Sequence, residues 1–282
     1  MKNIIVFAVL FLVACYPVSD AQGYIVQANF ALEHDEVHVV FIDVGQGDSA
    51  LILSQNKRML IDGGLRAAGP RILDVLDELG VDRLDYVIAT HPHADHIGGL
   101  ITVLENIETG LVIMPDAIHT TITFEDFLDA IITNDIPVEQ ALPGRTIYMD
   151  EAEFTIIAPN SSGGSNLNNY SVVMRMVHGN NAFLFTGDAE RESEYEILEL
   201  GWEVSADVLQ LGHHGSFTST TQAFLDAVSP AIAIVSAGYN NQYGHPHQSV
   251  MNRLDEAGVE VLITFEVGDI HMISDGEYIY VQ

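Results

Sequence analysis

The chain has 282 residues, 48% of them hydrophobic, and carries 10 Lys plus Arg against 40 Asp plus Glu, a formal net charge of −30. The acidic excess is spread along the chain, which excludes the broad basic face that holds polyanions non-specifically. A lone cysteine, Cys15, excludes an intrachain disulfide and argues against a thiolate metal site.

Lys2 followed by the apolar run Ile4 to Ala14 predicts an export signal over residues 1–14, too short to span a bilayer as a stable helix. Leu12-Val-Ala-Cys15 resembles a bacterial lipobox. That resemblance implies cleavage before Cys15, lipid on its sulfur, and anchorage at the outer face of a membrane. Residues 15–34 then read as anchor and tether, and 35–282 as one folded domain. No later stretch is long and apolar enough to cross a membrane. Nothing in the residues implies a protein partner.

From Val37 the pattern becomes β, with runs over 37–43, 49–53 and 58–62 that each stop at glycine or polar residues. A helix starts near Pro70, places Ile72, Val75, Leu76 and Leu79 at helical spacing, and ends at Gly80. A strand at 84–90, a helix at 97–107, a strand at 111–114 and a helix through Phe124, Phe127 and Ile131 complete the first half. The second half repeats this order. Strands near 145–158 lead to a polar loop at 161–169, then to a hairpin, Ser171–Val177 with Ala182–Thr186, around Gly179. Helices at 191–200, 220–227 and 249–257 alternate with strands at 208–211 and 232–235, and strands at 260–265, 270–273 and 278–281 close the chain. Strands first, then alternating strand and helix, in two similar halves, predict an α/β domain in which two sheets pack together with helices on both outer faces.

The chemistry concentrates at residues 90–100, Thr-His-Pro-His-Ala-Asp-His-Ile-Gly-Gly-Leu. His91, His93, Asp95 and His96 fall within six positions after an apolar strand. Imidazole and carboxylate are good ligands for divalent zinc, iron or manganese. Two histidines two apart project the same way from extended chain, so His91 and His93 can grip one metal. Asp95 and His96 enter a helix, placed for a second.

This run resembles the His-x-His-x-Asp-His signature of the metallo-β-lactamase superfamily, whose fold is a four-layer αβ/βα sandwich. Six further segments occur in order: Phe41-Ile-Asp-Val-Gly-Gln-Gly-Asp-Ser-Ala50, Leu60-Ile-Asp-Gly-Gly64, Asn168-Asn-Tyr-Ser-Val-Val173, Leu184-Phe-Thr-Gly-Asp-Ala-Glu190, Gly212-His-His-Gly-Ser216 and Asn241-Gln-Tyr-Gly-His-Pro246. Together they resemble the hydrolase-like domain of ComEC-type DNA-uptake proteins. The resemblance implies two divalent ions, zinc or manganese, that activate water. It assigns His91, His93, Asp95, His96, Asp188 and His245 as metal ligands, with Asp188 bridging, and Asp95 also as a catalytic group. His213 or His214 would serve the phosphoryl group or the leaving oxygen, with Ser216 beside them. Asp62 would orient the ligand loop. Asn168, Asn169, Ser171 and Tyr243 fall in matching segments near the site. Asp43 and Asp48 are equally readable as turn-stabilising carboxylates.

One departure stands out. Most two-metal members supply a third histidine to the first metal, and the only histidine on that hairpin, His178, lies at its far end, roughly 20–25 Å from Asp188 at ~3.3 Å per residue. Asn168, Asn169 or water would complete that site, which shifts preference toward manganese or a weaker zinc site. His34, His38, His119, His247 and His271 fit no ligand spacing. The favoured substrate is a phosphodiester, namely nucleic acid outside the cell. The alternatives are a small ester, lactone or β-lactam on the same fold, which the acidic surface favours, and a lipid-anchored module that binds metal or ligand without turnover.

Overall fold

The computed structural model describes residues 4–6, 35–161 and 164–282. The expected leader and tether, Cys15 and His34 included, lie outside the described residues, except that Ile4–Val6 runs parallel beside Ile279–Val281.

Two sheets form the centre. One has nine strands, and reads outward from Ile4–Val6 through Ile279–Val281, Ile270–Ser274, Val37–Phe41, Ala50–Leu53, Arg58–Ile61, Tyr86–Ile88 and Val112–Met114 to Val138–Gln140. The other has seven, from Thr146–Met149 through Ala152–Ala158, Val173–His178, Asn181–Phe185, Val208–Gln210 and Ile232–Val235 to Glu260–Ile263. Each is antiparallel where hairpins link the strands and parallel where helices cross over.

Period-two alternation explains the layers. Val37, Val39 and Phe41 face the other sheet and pack with Phe154, Met174 and Phe185. Their neighbours Val40 and Ile42 face outward, beneath Ile72 and Leu76 of the helix Gly69–Glu78, Leu100 of Ala94–Asn106 and Phe127 of Ile122–Thr133. On the second sheet, Leu184, Leu209 and Val235 face Ile197 of Arg191–Glu199, Phe224 of Gln222–Val228 and Val250 of Gln248–Glu256. The result is the expected helix–sheet–sheet–helix sandwich. The Phe41 and Phe185 rings, 6.0 Å apart, join the sheets at their middle.

Two local expectations shift, and one strand stands where none was expected. The hairpin turn is two residues, because His178 pairs with Asn181, and Gly179 adopts the φ of +58° that such a turn requires. The expected strand through 265 stops at Ile263 and gives way to the short helix Thr264–Val267. Val138–Gln140 is an edge strand with every residue exposed, so it carries no alternation to read. The parallel strands of both sheets end on one side, where their C-terminal loops converge, the usual ligand-binding edge of such sheets. Among the described residues no helix is long and apolar enough to cross a membrane.

Candidate metal centre

The first half of the site is a turn locked to a helix. Asp62 follows strand Arg58–Ile61 with a φ of +57°, and its backbone N–H reaches Ile88 O on the neighbouring strand at 2.9 Å. Its buried carboxylate accepts three hydrogen bonds: from Thr90 N at 2.8 Å, Thr90 Oγ1 at 2.6 Å and His96 Nδ1 at 2.7 Å. Gly63 N donates to His96 O at 2.7 Å, and Gly99 N to Gly64 O at 3.1 Å. A Cβ on Gly99 would stand 2.0 Å from Gly63 O, so only glycine lets the helix Ala94–Asn106 seat this close.

These contacts fix ring orientation. With the Thr90 hydroxyl donating to Asp62, its oxygen is left to accept from His91 Nδ1, 3.2 Å away. His91 and His96 are thus both held through Nδ1, and each turns its Nε2 lone pair toward the space between the sheets. His214 reaches the same state from the second half. Its Nδ1 lies 2.9 Å from Ser236 O and 3.2 Å from Asp48 Oδ1. His213 and His214 take φ values of +50° and +55° in consecutive positions, a strained turn that costs of order 1–3 kcal/mol per residue and sends the two rings to different sides of Asp188.

Asp188 lies between the rings. Its Oδ1 is 3.2 Å from His96 Nε2 and 3.4 Å from His214 Nε2, and its Oδ2 is 3.5 Å from His91 Nε2 and 3.7 Å from His213 Nε2. Its backbone N–H donates to Ser171 Oγ at 3.0 Å, which ties the carboxylate to the preceding loop. Two ligand groups result: His91, His93 and Asp188, and Asp48, His96, Asp188 and His214, with ligand atoms inside each group within 4.8 Å of one another. His96 Nε2, Asp188 Oδ1 and His214 Nε2 are buried and make no hydrogen bond. Three converging, desolvated and unpartnered donors are costly unless something cationic joins them. The donor set fits a pair of divalent ions, which the two groups would hold with Asp188 in common.

The electrostatics agree. Burial alone would raise the Asp188 carboxyl, but His96 and His214 hold it well below the usual carboxylate range. Burial would likewise depress His96 and His214, yet Asp188 together with Asp62 for the first and Asp48 for the second raises both well above the ordinary imidazole value. His91 is pushed well below its ordinary value by burial and by His96, which suits a neutral ligand.

The sequence-derived residues fall into three groups. His91, His93, His96 and Asp188 come together as expected. Asp95 opens to the cleft with Oδ2 3.4 Å from His214 Nε2, beside the second ligand group. His245 stands outside both groups, with its ring centroid 6.0 Å from that of His214, but it lines the same cleft and its buried Nδ1 makes no hydrogen bond. His214, one of the two histidines expected to serve the leaving group, falls in the second ligand group, because the strained turn carries its ring inward. His213 remains at the cleft. Asn168 and Asn169 brace the site: Asn168 Nδ2 donates to Glu190 Oε1 at 2.9 Å, and Asn169 Oδ1 accepts from Glu190 N at 3.1 Å. Asn168 Oδ1 is buried without a partner. Ser216 is buried and accepts at 3.0 Å from Thr218 Oγ1, which lies 3.2 Å from His213 Nδ1. Tyr243 lines the cleft, a cavity of about 320 Å³ bounded also by Gln46, Asp95, His213 and His245. His178, at the far end of its strand, lies 2.8 Å from Ser274 Oγ. His119, read as unrelated, lies with its ring 5.5 Å from that of His93.

Sequence reasoning missed Glu190 and left Asp48 open. Glu190 Oε1 lies 3.1 Å from His213 Nδ1, and this hydrogen bond holds the carboxyl down at about 2. Glu190 sits two residues after Asp188, a spacing that could have flagged it. Asp48 meets His214 across 166 positions, and nothing local announces that contact.

The profile of the metallo-beta-lactamase superfamily matches residues 42–239. The chain is 31% identical over 280 residues to ComE operon protein 3 of Bacillus subtilis (strain 168), covering 93% of this chain and 34% of that protein. It is 32% identical over 244 residues to competence protein ComA of Neisseria gonorrhoeae, covering 86% and 33%. It therefore spans about a third of the length of these relatives. The metallo-beta-lactamase fold protein YhfI of Bacillus subtilis superposes with a TM-score of 0.52 at 16% identity, over 80% of this chain and 96% of that one, a likeness of fold alone. Fold, ligand arrangement and sequence agree: the chain belongs to the metallo-beta-lactamase superfamily and is similar over most of its length to one part of ComEC-type competence proteins.

Proposed function

We propose that the chain is a metal-dependent phosphodiesterase that hydrolyses nucleic acid outside the cell, held at a membrane surface by lipid on Cys15. The observation that carries this reading is the division of the Asp188 carboxylate between two ligand groups, in the second of which the buried His96 and His214 Nε2 atoms make no hydrogen bond. One ion would be held by His91, His93 and Asp188, and the other by His96, His214 and Asp188 with Asp95 beside it. Zinc or manganese suits this mixed nitrogen and oxygen set, and the unpartnered Asn168 oxygen is available to the first ion. Bound, the pair supplies acidified water and positive charge for the phosphoryl oxygens.

The protein's own groups handle protons and position. Asp95, partly open to the cleft, accepts a proton from the attacking water. His213 Nε2, on the cleft side of Asp188, donates one to the oxygen that leaves phosphorus, while Glu190 holds its Nδ1. Water oxygen bonds to phosphorus, the phosphorus–oxygen ester bond breaks, and the products are a phosphomonoester and an alcohol. Nucleic acid is favoured over other phosphodiesters because one relative carries competence in its name and another, 34% identical over 218 residues, is a recombination protein.

The full chain with manganese or zinc is expected to cleave single-stranded DNA and a nitrophenyl phosphodiester, and Asp188→Ala or His93→Ala to abolish both activities. Opening of lactone or β-lactam rings without phosphodiester cleavage would contradict the proposal. One observation favours that second reading, a small ester, lactone or lactam substrate. The cleft is only about 320 Å³ and no Lys or Arg among the described residues lines it, in a chain of net charge −30. Long DNA competing with a small chromogenic substrate separates the two.

A further inference from the structure

The cleft mouth is built of rings. Tyr243 stacks on His245 with centroids 5.6 Å apart and planes at 22°. His245 meets His213 edge-on at 5.3 Å on the side toward Asp188, and His247 at 4.9 Å on the other. His247 in turn meets Phe217 at 4.9 Å. The array runs from beside the ligand groups to two outward rings, Tyr243 at 53% exposure and Phe217 at 57%. Both ends are held. Asn241 Oδ1 accepts from the backbone N–H groups of Tyr243 at 3.2 Å and His245 at 3.0 Å, and Phe217 N donates to His247 Nδ1 at 3.2 Å.

Exposed aromatic rings on a clamped loop present apolar faces to water, a cost that serves a ligand able to cover them. The charge distribution narrows that ligand. A polyanion is ordinarily held by Lys and Arg along its backbone, and none among the described residues lines this cleft. Of the ten Lys and Arg, Lys57, Arg66, Arg71, Arg83 and Arg145 already face carboxylates. Flat, uncharged rings flanking a reactive phosphodiester are the chemistry of nucleobases, which stack on aromatic side chains at ~1–3 kcal/mol per base.

We propose that Tyr243, lining the cleft, and Phe217, at the outer end of the same ring array, are base-stacking platforms for the nucleotides next to the scissile phosphodiester. The substrate is then single-stranded nucleic acid, gripped by its bases rather than by its backbone charge. A duplex keeps its bases stacked on one another and offers these rings nothing. This inference rests on the phosphodiesterase reading and adds to it the substrate's strandedness and mode of grip.

The test uses the full chain with manganese and two short oligonucleotides of equal length, one oligothymidylate and one abasic. KM is measured for each, and binding is followed by fluorescence anisotropy of the labelled strands. The expected result is a KM and a Kd roughly ten-fold or more lower for the thymidylate strand. Tyr243→Ala should bring the two strands together, Tyr243→Phe should keep them apart, and the log–log salt dependence of binding should be no steeper than about −2. Equal KM for both strands in the parent protein overturns the proposal, as does a Tyr243→Ala effect of the same size on both strands, or a steep salt slope. Cleavage of neither strand, with lactone or lactam turnover intact, defeats the phosphodiesterase reading itself. Cleavage of both at equal KM defeats only the stacking platforms.

Discussion

Asp62 Oδ2 lies 2.7 Å from His96 Nδ1, with both side chains fully buried, and it takes that hydrogen bond while also accepting from Thr90. The pair decides which nitrogen of His96 faces Asp188. Asp62→Asn keeps the left-handed backbone, which asparagine tolerates, but its amide nitrogen must confront a donor it cannot accept from. Affinity for the second ion is expected to fall about 10–100-fold while the fold survives. Competitive titration with a chromophoric chelator, with circular dichroism as control, measures this. Unchanged affinity would show that Asp62 does not set the His96 orientation.

Glu190 acts through His213. Its oxygens accept from Asn166 Nδ2 at 3.0 Å and Asn168 Nδ2 at 2.9 Å, so glutamine in its place would set amide against amide and release the His213 ring. Glu190→Gln is expected to lower kcat by about ten-fold or more with KM and metal content close to the parent's. Loss of a metal ion instead would place Glu190 in support of the ligands rather than of the leaving group.

Gly99→Ala tests the lock between turn and helix. The added methyl would meet Gly63 O at 2.0 Å and must push the ligand helix outward. Overpacking of this kind costs about 1–3 kcal/mol, and the shift is expected to weaken metal binding as well. Chemical denaturation of the metal-free chain reads the first effect and chelator titration the second. A variant as stable as the parent would mean that the helix yields freely.

Acid sensitivity has a direction. Burial, with a smaller contribution from His38, pushes His271 down from 6.5 to about 4, and burial with His214 and His213 does the same to His245. Between those values the unfolded chain binds more protons than the folded one, so stability present above about pH 6.5 is lost as pH falls toward 4. His271→Gln, on a strand away from the ligands, should flatten this limb when urea midpoints of the metal-free chain are followed from pH 7 to 4. Identical slopes in parent and variant would contradict the assignment.

What the sequence discloses follows from how local each feature is. His91, His93 and His96 are legible because covalent spacing alone aims them, and Asp188 because a strand and a glycine deliver it to the sheet edge. The layers are legible because Val37, Val39 and Phe41 alternate with residues that bury under helices. Contacts between halves are not. Whether His214 or His245 reaches Asp188 depends on a strained turn and on how two sheets sit together, and no short-range pattern encodes either. Asp48 with His214, and Glu190 with His213, belong to the same class, since carboxylates in an acidic chain carry little signal until the fold selects them.

The central claim is that one carboxylate serves two ions, and metal counting tests it most directly. The full chain, loaded with manganese or zinc and freed of excess, should hold two ions by elemental analysis. His93→Ala and His214→Ala should each hold one, and Asp188→Ala should hold none tightly. A parent chain that binds a single ion, or an Asp188→Ala chain that keeps two, would contradict the account.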